Sequence, residues 1–279
     1  MEQHLSPAQA IAAGLRVLPQ AQTAMTSAAG AYRFYANERI SLVKTFEPLK
    51  THAVAAAASC QQWGLVIHDW SPLHYTDHKS KKDRIVLYNK NDYGYLLQAA
   101  LLISDSDGSP LSPLYLGVEA TDGVHSTRRE GVLPRRPEMD ELNRTLGHIE
   151  QLGLGMQLAH IVDREGDSVG HLRRFVRCHR YFVIRSNEFR RVEYQEESRL
   201  MKEIEEAIKG EFRFSREVQY KGRKTKQYVT EVTVRLTGDA RKHRIKKGKL
   251  VRQKIKGPAI SLRLIIAQVR DAHGKVLAT

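Results

Sequence analysis

The stretch Ala159-His160-Ile161-Val162-Asp163-Arg164-Glu165-Gly166-Asp167 decides how the chain is organised. It is a short apolar run that ends on an acid, which is the pattern of a buried strand. Residues 167–178 follow with apolar side chains at helical spacing, which predicts a helix capped by Asp167. We therefore expect Asp163 where a strand meets a helix, an edge at which open α/β sheets bind ligands. The alternative is a turn whose acids only accept hydrogen bonds from backbone N–H groups.

Composition limits the partners of the chain. Its 279 residues carry a formal net charge of +14 at pH 7, which favours polyanions such as nucleic acid or an anionic membrane surface. No apolar run approaches the ~20 residues that span a bilayer, and the first residues lack the pattern of a signal peptide. Cys60 and Cys178 are too few for a disulfide framework, so a reducing cytoplasm is expected. Cys178-His179 has no second pair at metal-ligand spacing.

The order of predicted elements indicates a fold class. We expect a hairpin between the second and third strands, a basic loop at 121–137 and helical crossovers around the fourth strand. The predicted strands are 63–69, 93–104, 113–120, 157–163 and 181–186, and the predicted helices are 49–58, 138–152 and 167–178. This order is that of a ribonuclease-H-like mixed five-stranded sheet with flanking helices. In that arrangement strands one and four are central neighbours, and their carboxyl ends carry Asp69 and Asp163.

The regions on either side of this core differ from it in pattern. Residues 1–60 read as an N-terminal helical segment that begins with an alanine-rich stretch, and 61–190 as the catalytic core. Residues 191–279 read as a helix at 198–210 followed by an antiparallel β-rich segment. Between positions 241 and 256 there are nine Lys or Arg residues and no acid. That run is either a solvated hairpin face or a contact surface for DNA phosphates.

Paired aspartates at the ends of two neighbouring strands suit metal chemistry. Carboxylates held close together repel each other unless a cation lies between them. Mg²⁺ takes one or two carboxylates plus phosphate oxygens. Two such ions, about 4 Å apart, activate an attacking oxygen and stabilise the leaving oxygen of a phosphodiester. The alternative for Asp69 is an ordinary turn acid before Ser71-Pro72, and His68 should pack on the opposite face of its strand.

Four stretches together resemble the insertion-sequence-4 group of DDE transposases. One resembles the helical segment before the catalytic core, two resemble the first- and second-aspartate motifs, and one resembles the strand after the second aspartate. In the first-aspartate motif Trp70 stands where the family usually has Thr. In chain order the stretches are Gly30-Ala31-Tyr32-Arg33-Phe34 with Asn37, Asp69 with Ser71, Leu73 and Tyr75, Val162 to Asp167, and Tyr181 to Ser186.

The resemblance implies a function and a set of site residues. It implies a cut-and-paste transposase that acts on double-stranded DNA, both transposon ends and target, as a DNA-bound homodimer. It implies that Asp69 and Asp163 are the catalytic ligands of Mg²⁺ or Mn²⁺, and that 211–269 is the β-rich insertion of the family. Asn187 replaces a DNA-contacting lysine of the family. We predict DNA contacts for Arg164, Arg185, Asn187, Arg190, Arg191, Lys246 and Lys247.

The third acid of the family is missing from the sequence. The family supplies a glutamate in a Tyr-x2-Arg-x3-Glu-x6-Lys pattern, which no stretch after Asp163 matches. We therefore expect a truncated transposase with weak or no activity alone, because a second ion would lose its main protein ligand. The alternatives are a non-catalytic DNA-binding or dimerising remnant and another ribonuclease-H-like nuclease.

Overall fold

The computed structural model describes residues 29–30, 32–208, 210–246 and 249–279, and within 241–252 it describes the backbone alone. The helices predicted within residues 8–28 and the predicted DNA contact Lys247 lie outside this part of the chain. The described chain is of mixed α/β class, with few helices and a large sheet that contains parallel and antiparallel pairs. None of the helices in the described residues is both long and apolar enough to cross a membrane.

The elements are numbered here in chain order. The helices are α1 Leu42–Ala57, α2 Glu138–Glu150, α3 Val169–Arg177 and α4 Met201–Ala207, with a 3-10 helix at Arg164–Gly166. The first eight strands are β1 Trp63–His74, β2 Ile85–Val86, β3 Tyr93–Ile103, β4 Pro110–Ala120, β5 Gly123–Ser126, β6 Arg129–Leu133, β7 Gln157–Val162 and β8 Tyr181–Ile184. The others are β9 Arg191–Tyr194, β10 Glu197–Leu200, β11 Arg213–Tyr220, β12 Arg223–Leu236, β13 Ala240–Lys246, β14 Lys249–Ile255, β15 Ile260–Arg270 and β16 Val276–Ala278.

The chain forms two compact units, and the first takes the described residues up to Gly64 together with Asp69–Gln157. Its strands follow the order β6-β5-β4-β3-β1, and the predicted hairpin of β3 and β4 is confirmed. Helices α1 and α2 contact β4 and bury apolar side chains, including Ala53 and Leu146. A Cβ on Gly94 would lie 1.9 Å from the carbonyl oxygen of Leu73. Only glycine therefore allows β3 to approach β1 this closely.

The second unit comprises Leu65–His68 and Leu158–Thr279. Its Leu65–His68 segment belongs to β1, whose neighbour is β7, and β7 pairs in parallel with β8. The predicted crossover helix between β7 and β8 is confirmed as α3. A predominantly antiparallel sheet follows in the order β10-β9-β12-β15-β16, with β11 paired to β12. Helices α3 and α4 share one apolar core with this sheet, formed by Leu172, Val192, Ile204, Ile208, Val234, Leu236, Ile260 and Ile266.

Four predicted boundaries are wrong, and the first is that of α1, which was predicted from 49 and begins at Leu42. Strand β1 continues to His74, so Asp69 lies inside a strand, because Pro72 is tolerated where no ladder N–H is needed. The predicted loop at 121–137 contains the hairpin of β5 and β6, whose Val124 and Leu133 are paired despite the surrounding arginines and prolines. The helix predicted from 198 begins at Met201, because 197–200 pairs with β9 as β10.

Candidate metal and nucleic-acid site

Asp163 occupies the turn that ends β7. Its Oδ1 accepts a hydrogen bond of 2.9 Å from the backbone N–H of Glu165, which makes it the N-cap of the 3-10 helix. Its side chain is exposed, whereas Val162 just before it is 2% exposed. The buried strand therefore fixes the backbone of Asp163 while its carboxylate faces solvent. The predicted capping turn is present, and it uses one of the two carboxylate oxygens.

Gly166 makes this turn compact. A Cβ at this position would lie 2.7 Å from Cγ1 of Val162. That separation is shorter than Cβ atoms show in real contacts, so a larger residue would force the turn away from the strand. The glycine of the Asp-Arg-Glu-Gly-Asp stretch thus has a steric role.

Asp167 does not cap α3, and that prediction is wrong. The N-cap of α3 is Ser168, which receives no side-chain cap bond. The carboxylate of Asp167 instead pairs with the guanidinium of Arg190 at 2.8 Å and accepts a 2.9 Å bond from the backbone N–H of Asn187. Both side chains of the ion pair are largely buried, with 5% of Asp167 and 15% of Arg190 exposed. Helical spacing could not reveal this role, because both partners lie about 20 residues further along the chain.

The predicted DNA-contacting residues differ in exposure and in hydrogen bonding, and Arg191 donates a 3.5 Å hydrogen bond to the carbonyl oxygen of Ser198. Arg190 is held by Asp167 in the free protein, and Asn187 uses its Oδ1 to accept a 2.9 Å bond from the N–H of Phe189. Arg164, Arg185 and Arg191 have exposed side chains. Lys246 ends β13 opposite Lys249. Their contacts with DNA stay predictions.

Asp69 belongs to the first unit and is exposed. The hydroxyl of Ser71 donates a 2.7 Å hydrogen bond to its Oδ2. Trp70 lines a cavity of about 20 Å³ with Gln98, Glu119 and others, which is room for about one water molecule. Trp70 therefore has a packing role, and the cavity is too small for a substrate.

Two buried histidines lie in the second unit on β1 and β7. Nε2 of His68 and Nδ1 of His160 are 3.0 Å apart, and the side chains are 2% and 1% exposed. The hydrogen bond requires one ring nitrogen to donate and the other to accept. Burial, and secondarily the neighbouring His160, lowers the pKa of His68 to about 3. His68 was predicted to be packed, which is confirmed, but the sequence reasoning missed His160 as its partner.

The available ligand atoms fit a hard cation. One oxygen of Asp69 and one of Asp163 accept the bonds described above, and the other oxygen of each has no hydrogen bond to the described residues. Within the same part of the chain no group of three or more His, Cys, Asp and Glu side chains could hold a metal. Each of these two carboxylates therefore offers one free oxygen, the kind of ligand that Mg²⁺ takes together with water or phosphate oxygens.

No protein-family model matches the chain, and no curated protein matches it significantly.

Proposed function

We propose that this chain is a transposase of the insertion-sequence-4 type, which acts on double-stranded DNA by divalent-metal phosphoryl transfer. Asp69 and Asp163 are its metal ligands. The observation that carries the proposal is the turn after β7, where a buried strand ends on an exposed carboxylate with one free oxygen. Open α/β sheets bind ligands where a strand ends as β7 does. Asp69 lies inside β1, whose neighbour in the strand order is β7.

The strand order supports the ribonuclease-H-like part of the proposal. In the first unit β1, β3 and β4 are successive neighbours, with an antiparallel hairpin between β3 and β4. In the second unit β7 follows the β1 segment and β8 runs parallel to β7 after a helical crossover. These are the neighbours that the arrangement requires. In this proposal residues 211–269, which contain β11 to β14 and nearly all of β15, are the β-rich insertion of the family.

The residues of the chain would have distinct tasks. Asp69 and Asp163 would hold Mg²⁺ or Mn²⁺, and the bound ion would activate a water or a 3′-hydroxyl and stabilise the leaving oxygen. The Asp167–Arg190 pair would keep the turn of Asp163 in place. Arg164 and Arg185, both exposed, would contact DNA phosphates.

A second candidate function is a non-catalytic DNA-binding or dimerising transposase remnant. Two observations favour it. The glutamate pattern of the family is absent after Asp163, and no group of three acids or other metal-binding side chains occurs in the described residues. A site with two carboxylates can hold one ion but positions the attacking and leaving oxygens poorly. Weak cleavage activity is therefore expected even if the first function is correct.

Cleavage of labelled duplex DNA in Mn²⁺ tests the enzymatic proposal. Asp69→Asn and Asp163→Asn remove the charge of each ligand but keep an oxygen that accepts the bond from Ser71 or Glu165. We expect slow, Mn²⁺-dependent cleavage by the wild type and none by either variant. Asp77→Asn is the matched control, because Asp77 is an exposed acid outside the site. DNA binding without any metal-dependent cleavage would support the remnant, and equal cleavage by all four proteins would refute the site.

A further inference from the structure

The basic arm is the two-stranded hairpin of β13 and β14 with the residues that follow it to Lys256. It forms a sheet of its own and pairs with no other strand in the described chain. Isolated two-stranded hairpins are marginally stable in water. An element of this kind needs a connection to the rest of its unit if it is to hold one position.

The charges of the basic arm make it less stable still. The backbone register sets Arg241 opposite Lys254 and Lys246 opposite Lys249. Like charges directly opposite each other destabilise a strand pair. The nine Lys and Arg residues between 241 and 256 have no acid among them. This charge is unfavourable in the free protein and becomes favourable when phosphates neutralise it.

Arg173 of α3 connects the arm to the unit. Its Nε donates a 2.8 Å hydrogen bond to the carbonyl oxygen of Pro258, and its Nη2 donates a 2.9 Å bond to that of Gly238. These two carbonyls lie on either side of the arm in sequence, so one guanidinium holds both of its ends. A Cβ on Gly257 would lie 2.9 Å from Nη1 of Arg173. The guanidinium therefore also packs closely against the backbone at Gly257, in the segment between β14 and β15.

We propose that Arg173 is a positioning residue that fixes the basic arm as a phosphate-binding element for double-stranded DNA. The inference rests on the proposed DNA-binding function but does not depend on the metal site. An arm held at both ends loses less conformational freedom on binding than a loose one, so more of its phosphate contacts contribute to affinity. A lysine cannot replace Arg173, because a single ammonium lacks the fork that reaches two carbonyls at once.

The salt dependence of DNA binding tests this role. The logarithm of affinity falls with the logarithm of salt concentration by about 0.9 for each phosphate neutralised. We would measure fluorescence anisotropy of a labelled duplex with the wild type, Arg173→Lys and Arg177→Gln. Arg173→Lys keeps the positive charge but not the contact with two carbonyls. If Arg173 positions the arm, several phosphate contacts are lost together, and we expect the magnitude of the salt slope to decrease by about 2 or more. Arg177 is exposed on the same helix, and its loss should change the slope by at most about 1.

Each outcome decides a different claim. If the wild type does not bind the duplex, the proposed DNA-binding function fails. If the wild type binds and Arg173→Lys has the same slope, the role of Arg173 is refuted. Hydrogen exchange of residues 240–255 should accelerate in Arg173→Lys while circular dichroism stays unchanged. If Arg173→Lys does not fold, Gly257→Ala displaces the guanidinium without removing it; a lower slope supports the proposal and an unchanged slope overturns it.

Discussion

The turn of residues 163–167 and the basic arm treat their charges in opposite ways. In the turn Asp167 is buried with Arg190, and Asp163 uses one oxygen as a cap. In the arm the sequence provides nine cations and no acid, and the backbone register sets several of them opposite each other. The buried charge of the turn is therefore balanced within the protein, whereas Asp163, Arg164 and Glu165 are exposed. The sequence of the arm has a large positive charge, which an external polyanion such as DNA would neutralise.

This difference indicates how to separate structural from functional charge. A charge that is buried and paired contributes to folding, and its removal leaves the partner uncompensated. A charge that faces solvent among like charges contributes little to folding and a great deal to binding. Changes in the turn should therefore alter stability, whereas changes in the arm should alter DNA affinity.

Asp167→Ala should have the largest effect on stability. It leaves the largely buried guanidinium of Arg190 without its carboxylate, which we expect to lower the free energy of unfolding by about 3–5 kcal/mol. Asp163→Ala removes only a cap and should cost about 0.5–2 kcal/mol. Urea denaturation monitored by circular dichroism compares them. Equal losses of unfolding free energy in the two variants would contradict the different roles assigned to Asp163 and Asp167.

Acid should destabilise the second unit, because His68 on β1 is buried against His160 on β7, the strand before the turn. The pKa of His68 is lowered to about 3 in the folded protein, whereas in the unfolded chain it is near 6.5. Between these values the unfolded state binds the proton, so the free energy of unfolding falls as pH falls. The loss is at most about 1.4 kcal/mol per pH unit. Thermal unfolding between pH 7 and pH 4 should show a shallower decline in His68→Leu than in the wild type. Parallel declines would contradict this account.

Gly166→Ala and Gly238→Ala compare the stability cost of an added methyl group in the turn with its cost just before the basic arm. A Cβ on Gly166 would lie within 2.7 Å of Val162, whereas one on Gly238 meets nothing within 4 Å. We expect the first change to cost about 1–3 kcal/mol through overpacking. The second should stay within about 0.5 kcal/mol of the wild type. Denaturation midpoints measure both, and an insensitive Gly166 would show that the turn tolerates expansion.

Lys254→Gln should have the smallest effect on stability, and its sign should be opposite. Its removal relieves the opposition to Arg241, so the protein should become more stable by about 0.2–1 kcal/mol. Its affinity for duplex DNA should nevertheless fall, with the salt slope reduced by about 0.9. Denaturation and anisotropy on the same sample test the pair of effects. A loss of stability would indicate that the charge has an internal partner.

The sequence predicted local patterns well and distant partners poorly. The run before Asp163 and the helical spacing after it gave β7 and α3 to within about two residues at each end. Asp167 was misread as a cap because Arg190 becomes its partner only in the folded chain. Hairpin β5–β6 was missed because arginine and proline residues obscured the paired Val124 and Leu133.

The candidate site was predictable to the same degree. Asp163 was expected in a strand-to-helix turn, and the turn is present. Asp69 was expected at a strand end but lies inside β1, since Ser71-Pro72 does not stop the strand. His160 carries no signal of its own in an apolar run. Its pairing with His68 depends on which strands become neighbours, which periodicity does not determine.

Calorimetric titration of Mn²⁺ tests most directly the central claim, that Asp69 and Asp163 jointly bind a divalent ion. The titration would use the wild type, Asp69→Asn, Asp163→Asn and the control Asp77→Asn, with circular dichroism to verify folding. The account predicts one binding event in the wild type and the control, and its loss or at least a tenfold weakening in each site variant. If either site variant binds Mn²⁺ as tightly as the wild type, the claim is contradicted.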